Sequence, residues 1–166
     1  MEAVRYAAAA IMRDAQVPYY HQLLGFLYER LGIALEDRSY YEKALECYIT
    51  ALSLSDREAD PRNYADLIFN VGEIFKRMSD LPRAYQNYMK ALSEGLRLEK
   101  PSRAAVVYDH TADAAIEVED YRTAREMLER LLETLEKIHK SDTPAARRGY
   151  SSSNSERYAT PASAAP

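Results

Sequence analysis

Three alanines recur along this chain of 166 residues at intervals of 40: Ala44, Ala84 and Ala124. Their neighbours recur with them, so the same kinds of side chain stand in the same order three times. The other positions that repeat in this frame are Gly32, Gly72 and Ala112, then Tyr41, Leu81 and Tyr121, then Tyr48, Tyr88 and Leu128, then Ala51, Ala91 and Leu131, and finally Leu52, Leu92 and Leu132. A fixed period of this length is typical of stacked repeats. The chain is therefore predicted to fold as a repeat array.

Helices are the predicted building blocks of each repeat. Apolar residues recur three and four positions apart, and no stretch shows the sustained alternation of a half-buried strand. Pro61 and Pro101 are again 40 residues apart, and a fixed φ without an N–H suits the first turn of a helix. Pro18 is predicted to start a helix for the same reason. Ser102 and Asp120 are predicted to cap the helices that follow them.

The order of residues within each copy resembles the tetratricopeptide repeat, whose pattern places L-G-x2-Y ahead of A-x3-F. The first copy is Tyr28, Leu31, Gly32, Leu35, Ala44, Tyr48 and Ala51, the second is Ile68, Val71, Gly72, Phe75, Ala84, Tyr88 and Ala91, and the third is Tyr108, Thr111, Ala112, Ala115, Ala124, Leu128 and Leu131. The resemblance covers roughly residues 19 to 140. Because the unit is 40 residues long and the family unit is about 34, the chain looks like a long-period variant.

The resemblance implies an all-α fold, a right-handed α-solenoid of three helix-turn-helix repeats at residues 19–55, 62–98 and 102–140. Carried back by one period, the frame falls on Val4, Ala8, Ile11 and Met12, which are all apolar. Residues 1–16 are therefore expected to form the second helix of an incomplete repeat, although a free amphipathic helix is the alternative. From Ser141 onward Ser, Ala, Thr and Pro dominate, which predicts a disordered tail over 141–166 and a folded domain over 1–140.

Composition excludes several classes of function. The 26 acidic residues outnumber the 22 basic ones and give a formal charge of −4, so no broad cationic surface is available for nucleic acid. Cys47 is the single cysteine, which leaves no intramolecular disulfide. No apolar run approaches the roughly 18 residues of a membrane span, and the N-terminus lacks the basic opening of a secretory signal. We therefore expect a cytoplasmic protein that binds neither nucleic acid nor membrane.

No constellation of residues points to catalysis. His21, His110 and His139 are far apart in the sequence, and none has a second ligand at metal spacing. The chain contains no glycine-rich phosphate loop, no G-x-S-x-G elbow and no H-x3-H pair. We therefore expect a protein that is not an enzyme and that has no catalytic residues, no cofactor and no metal site.

The resemblance places function on a concave groove lined by the first helix of each repeat, and it implies a non-catalytic adaptor or scaffold for protein–protein interaction. Eight of the eighteen residues carried onto groove positions are acidic and three are basic. The expected partner is therefore a protein or peptide with basic and apolar side chains, unless these charges only keep the concave face soluble. The candidate contact residues are Phe26, Glu29, Ile33, Glu36, Asp66, Phe69, Asn70, Glu73, Arg77, Asp109, His110 and Asp113.

Two other functions remain open. The last helix carries an apolar stripe, part of which must cover the preceding helix. If the rest is exposed, it would favour a homo-oligomer or a structural module of a larger assembly, joined through the terminal helices. The third possibility is a regulatory domain that senses a peptide by closing around it. The apolar residues of the last helix are Met127, Leu128, Leu131, Leu132, Leu135 and Ile138.

Overall fold

The computed structural model describes residues 2–96 and 98–141, and within them every regular element is an α-helix. The helices of this part of the chain are α1 (Glu2–Arg13), α2 (Pro18–Leu35), α3 (Arg38–Leu54), α4 (Pro61–Arg77), α5 (Leu81–Ser93), α6 (Pro101–Glu117) and α7 (Tyr121–Ser141). The predicted tail over 142–166 lies outside the described residues. Ser141, which was assigned to that tail, is instead the last residue of α7.

Each helix packs mainly against the helices that precede and follow it in the chain, and the closest packing joins α2 with α3, α4 with α5 and α6 with α7. These three pairs are stacked helix-turn-helix repeats, and α1 packs on α2 as a half repeat. The central pair supplies much of the core, including Leu67, Ile68 and Ile74, which are at most 1% exposed. The predicted all-α solenoid is confirmed.

The same type of turn joins the two helices of every repeat. One residue takes a left-handed backbone conformation, with φ of 52° at Glu36, 61° at Ser79 and 60° at Glu119. The next residue is an aspartate whose N–H donates to a carbonyl five residues earlier. Its carboxylate accepts a hydrogen bond from a backbone N–H in the first turn of the second helix. These aspartates are Asp37, Asp80 and Asp120, so the predicted cap at Asp120 is confirmed.

Prolines begin three helices, as predicted: Pro18 begins α2, Pro61 begins α4 and Pro101 begins α6. The predicted cap at Ser102 is wrong. Because Pro101 is already helical, Lys100 takes the N-cap position of α6, without a side-chain hydrogen bond.

Helix α5 ends earlier than its repeat was predicted to end. Its last residue is Ser93, whereas the predicted repeat continues to residue 98. Gly95 has a φ of 81°, and the N–H of Leu96 donates to the carbonyl of Ala91 at 3.0 Å. This bond closes the helix end in the manner of a Schellman motif.

Within each repeat, small residues let the two helices approach closely. Ala44, Ala84 and Ala124 are 0%, 0% and 4% exposed, so the three equivalent alanines occupy equivalent buried places. The ring of Tyr88 lies against Gly72, where a Cβ atom would come within 2.7 Å of the ring carbon Cε1. Close contact of this kind leaves no room for a side chain on the facing helix.

The first repeat departs from the 40-residue frame in its first helix. The frame pairs Gly32 with Tyr48, but Tyr48 lies against Gly25, whereas Gly32 faces the ring of Tyr41. Gly25 stands 11 residues before the turn residue Glu36, whereas Gly72, its counterpart in the second repeat, stands 7 residues before the turn residue Ser79. Helix α3, the second helix of the first repeat, is likewise longer at its N-terminal end than α5, the second helix of the second repeat. The first hairpin therefore has about one extra turn on each helix, and the Gly32–Tyr41 contact fills the added length.

Gly72→Ala is expected to lower the free energy of unfolding by about 1–2 kcal/mol, because the clash with Tyr88 outweighs the gain in helix propensity. Tyr88 is fully buried, so its ring cannot move aside without disturbing the core. Urea unfolding followed by circular dichroism measures the change. Gly32→Ala is the matched control, with an expected change below about 1 kcal/mol, since the half-buried Tyr41 can swing outward. Equal effects of the two substitutions would contradict this account.

Candidate functional site

A cavity of about 420 Å³ opens between α2 and α4. We call it the α2–α4 pocket. Helix α3 contributes one residue to its lining, and the remaining residues come from the first helices of the first two repeats. The lining residues are Tyr19, Gln22, Leu23, Phe26, Glu29, Tyr48, Phe69, Asn70 and Glu73.

Five of the twelve candidate contact residues line this pocket: Phe26, Glu29, Phe69, Asn70 and Glu73. Phe26 is 50% exposed, whereas Phe69 is 8% exposed. The centroid of the Phe69 ring lies 5.3 Å from that of Tyr88. The pocket therefore has one aromatic wall that is held by the core and another that faces solvent.

Three lining residues of α2 were not predicted: Tyr19, Gln22 and Leu23. The extra turns of the first hairpin move the groove positions of α2 by seven residues towards the N-terminus, so the 40-residue frame assigned them incorrectly. A signal was present, because Leu24 and Gly25 followed by Tyr28 reproduce the L-G-x2-Y spacing of the second repeat.

Three other candidates lie away from the pocket. Ile33 is half-buried further along α2, and Glu36 occupies the left-handed position in the turn after that helix. Glu36 and Arg77 line a separate cavity of about 350 Å³ beside the turns of the first two repeats. These two side chains therefore lie outside the lining of the pocket, although the charge of Arg77 acts on Glu29 and lowers its pKa.

The remaining candidates belong to the contact between α4 and α6. Arg103 Nη2 donates to Asp66 Oδ1 at 2.6 Å, and Lys76 Nζ donates to Asp113 Oδ2 at 3.3 Å. Between these pairs, His110 Nδ1 lies 2.7 Å from Glu73 Oε1. Asp109 is exposed beside them. Ionic and hydrogen-bonded pairs therefore join α4 to α6 along their length.

The positions that correspond to these pairs between α2 and α4 cannot form ion pairs. Phe26 and Asn70 correspond to Glu73 and His110, and Glu29 and Glu73 correspond to Lys76 and Asp113, once the shift of the first repeat is included. The aromatic ring of Phe26 thus occupies the position opposite the amide of Asn70, and the carboxylates of Glu29 and Glu73 occupy opposite positions on the two helices. The pocket opens where the ionic contact between neighbouring repeats is missing.

The two pocket carboxylates are held by tyrosines of the core. Tyr48 Oη donates to Glu29 Oε2 at 3.2 Å, and Tyr88 Oη donates to Glu73 Oε1 at 2.6 Å. Burial raises the pKa of Glu29 and outweighs the hydrogen bond from Tyr48. Burial also acts to raise the pKa of Glu73, but the hydrogen bonds from His110 and Tyr88 prevail and lower that pKa. Hydrogen bonds therefore outweigh the effect of burial at Glu73, whereas at Glu29 burial outweighs the hydrogen bond from Tyr48 and the charges of Arg77 and Arg30.

Other kinds of site find little support in residues 2–96 and 98–141. No group of three or more His, Cys, Asp or Glu side chains there is placed to hold a metal ion. Burial raises the pKa of Cys47 to about 11, so its thiol is protonated at neutral pH and is a poor nucleophile. None of the described helices combines the length and hydropathy needed to span a membrane.

The two carboxylates are expected to respond oppositely to neutralisation. A carboxyl group whose pKa is raised by folding stabilises the fold below the pKa of the unfolded chain, about 4.3, and this contribution is lost as pH rises through the folded pKa. Glu29→Gln should therefore raise the melting temperature at pH 7 and have little effect near pH 4.

A carboxyl group whose pKa is lowered contributes stability above the unfolded pKa, which is lost as pH falls through the folded value. Glu73→Gln should therefore lower stability at pH 7 by about 1–3 kcal/mol, and the difference should shrink in acid. Thermal unfolding of both variants, measured at several pH values between about 3.5 and 8, tests these effects, because the ordinary pKa of Glu lies within this range. The same sign of change at pH 7 for both variants would contradict the assignment.

Comparison with known proteins supports the fold. No family model and no curated protein matches the sequence. Among solved structures, the chain is similar to the crystal structure of MamA, a TPR-like helical repeat protein, with a TM-score of 0.58 and 17% sequence identity over 82% of this chain and 69% of that one. At this identity the likeness concerns the fold alone. The chain therefore has a tetratricopeptide-like helical repeat fold.

Proposed function

We propose that this chain is a non-catalytic adaptor of the tetratricopeptide repeat family, in a 40-residue-period form, and that it binds a segment of a partner protein in the α2–α4 pocket. The observation that carries the proposal is the contrast between two neighbouring contacts. The contact between α4 and α6 is closed by ionic pairs, whereas the contact between α2 and α4 leaves a cavity.

The apolar part of the pocket would contact an apolar side chain of the partner. Tyr19 and Phe26 are 62% and 50% exposed, and Leu23 lies between them on the same wall. Aromatic side chains on a concave surface release ordered water when an apolar group covers them. A cavity of about 420 Å³ is near the lower end of the range for ligand pockets, roughly 300–1,000 Å³, so a short segment fits better than a globular surface.

The carboxylates define the polar part of the partner. Glu29 is partly buried, and its raised pKa reports a charge that lacks sufficient compensation. An arriving lysine or arginine would supply that compensation through a charge-assisted hydrogen bond. Tyr48 donates to Glu29 at 3.2 Å, whereas Glu73 has shorter hydrogen bonds with both His110 and Tyr88, so Glu29 is the stronger attractor. The expected ligand is therefore a peptide in which a basic side chain stands next to an apolar one.

An array of immobilised ten-residue peptides tests this chemistry directly. Peptides that combine basic and apolar residues should retain the protein, and peptides in which acidic residues replace the basic ones should not. Glu29→Lys should weaken retention by about tenfold or more, because an attractive charge pair becomes a repulsive one. Glu46→Lys, which makes the same charge change at an exposed position of α3, is the matched control.

A second pair of variants separates the pocket from the wider groove. Phe26→Ala should weaken retention several-fold by removing the exposed aromatic wall. Asp113→Lys should leave retention nearly unchanged, since Asp113 lies beyond the closed contact of α4 with α6. If Asp113→Lys weakens binding as strongly as Glu29→Lys, the whole concave face is the binding surface. If no peptide is retained, the charges serve only solubility and the adaptor proposal is wrong.

A further inference from the structure

Helix α7 exposes an apolar stripe beside its contact with α6. Tyr121, Leu128, Leu132 and Leu135 are 64%, 46%, 61% and 48% exposed, and we call these four residues the α7 stripe. Met127, in contrast, is 4% exposed and covers the preceding helix. Three stripe residues, together with Ile116 of α6, Ala124, Arg125 and Glu129, line a mainly apolar concavity of about 460 Å³. The stripe is therefore a second apolar face, in addition to the one that the core requires.

Inside the stack, the equivalent surface is covered by the first helix of the next repeat. Tyr88, which corresponds to Leu128, is 0% exposed, and its ring lies 6.3 Å from that of His110 in α6. Leu92, which corresponds to Leu132, is packed against the core. The α7 stripe thus has the form of an interface that receives a helix.

The repeat pattern does not continue into residues 142–166. Continued by one more period, the repeat frame reaches Arg148, Ser151, Ser152 and Ser155. These residues stand where the preceding repeats have mostly apolar and small residues. The sequence of residues 142–166 therefore does not continue the apolar pattern of the first repeat helices.

The charges beside the stripe are arranged for pairing with a second copy. Arg125 and Glu136 are 11 residues apart, which is about three turns, so they lie on the same side of α7. Their midpoint falls between Arg130 and Leu131, at the centre of the exposed leucines. A two-fold axis through this point, perpendicular to the helices, places Arg125 of each copy level with Glu136 of the other. The leucines of the two copies then alternate along the length of the paired helices.

We infer that two copies of this chain associate through the α7 stripe, with the two α7 helices antiparallel and related by a two-fold axis. The interface is self-complementary and closed, as in most soluble homodimers. It lies at the opposite end of the stack from the α2–α4 pocket, so both pockets remain accessible in the dimer. A dimer of this form would present two pockets to one partner and gain affinity through effective concentration.

Sedimentation velocity of the full chain at several concentrations tests the association. The mass should rise from the 18.9 kDa of one chain towards twice that value with increasing concentration. Leu132→Glu should keep the protein monomeric without loss of helical circular dichroism, because its side chain is mostly exposed. Met12→Glu at the other end of the stack, where the side chain is 90% exposed, should leave association unchanged. A wild-type chain that is monomeric at every concentration overturns the inference, as does association that is blocked by Met12→Glu and not by Leu132→Glu.

A charge exchange tests the antiparallel arrangement. Arg125→Glu and Glu136→Arg should each weaken association by about tenfold, since each introduces two like-charge contacts across the interface. The double variant should recover most of the wild-type association. Both residues also form pairs within α7, with Glu129 and Lys140 respectively, so helical circular dichroism of each variant is the control. A double variant as weak as the single variants, with helicity intact, overturns the antiparallel pairing.

Discussion

A tyrosine ring lying against a glycine is the contact on which the rest of the structure depends. In the first repeat this contact joins Tyr48 to Gly25, and in the second it joins Tyr88 to Gly72. The ring lies between the two helices, and its hydroxyl donates a hydrogen bond to a glutamate that lines the pocket. The core therefore fixes the position of the pocket carboxylates. In both repeats one tyrosine makes both contacts, although the glutamate stands four residues after Gly25 in the first repeat and one residue after Gly72 in the second.

The extra turn in each helix of the first hairpin changes the register of α2 against α4. In the second and third repeats, the aligned first helices bring Lys76 to Asp113 and Glu73 to His110. The longer first hairpin instead brings Phe26 opposite Asn70 and Glu29 opposite Glu73, and neither of these pairs can be ionic. The same stacking geometry thus produces a closed contact on one side of α4 and an open one on the other. The two contacts of α4 differ because the helix register of the first repeat is shifted, and the fold of the repeats is otherwise the same.

Much of the fold can be predicted from the sequence, because the second helices of the repeats keep the period of 40 and the prolines and aspartates mark helix ends. Pro61, Pro101 and Asp120 occupy the places that their backbone chemistry predicts. The register of α2 was missed because two glycines, Gly25 and Gly32, fit the pattern, and only the partner ring decides between them. The pairing of His110 with Glu73 could not be predicted either, since it depends on how two helices from different repeats align side by side.

Within the described residues, the α2–α4 pocket and the α7 stripe lie on surfaces that elsewhere in the stack are closed by contacts with a neighbouring repeat. The stability of a stacked array is approximately the sum of terms within repeats and terms between neighbours, so a missing neighbour term leaves the adjacent helices less firmly held. A ligand that binds only the folded state adds its own free energy to that of folding. Binding in the α2–α4 pocket would couple the first repeat to the second through Glu29 and Phe69, and association at the α7 stripe would support the last repeat. The places where the stack is least complete are therefore those where a partner gains most, since there it supplies contacts that the other repeats obtain from their neighbours.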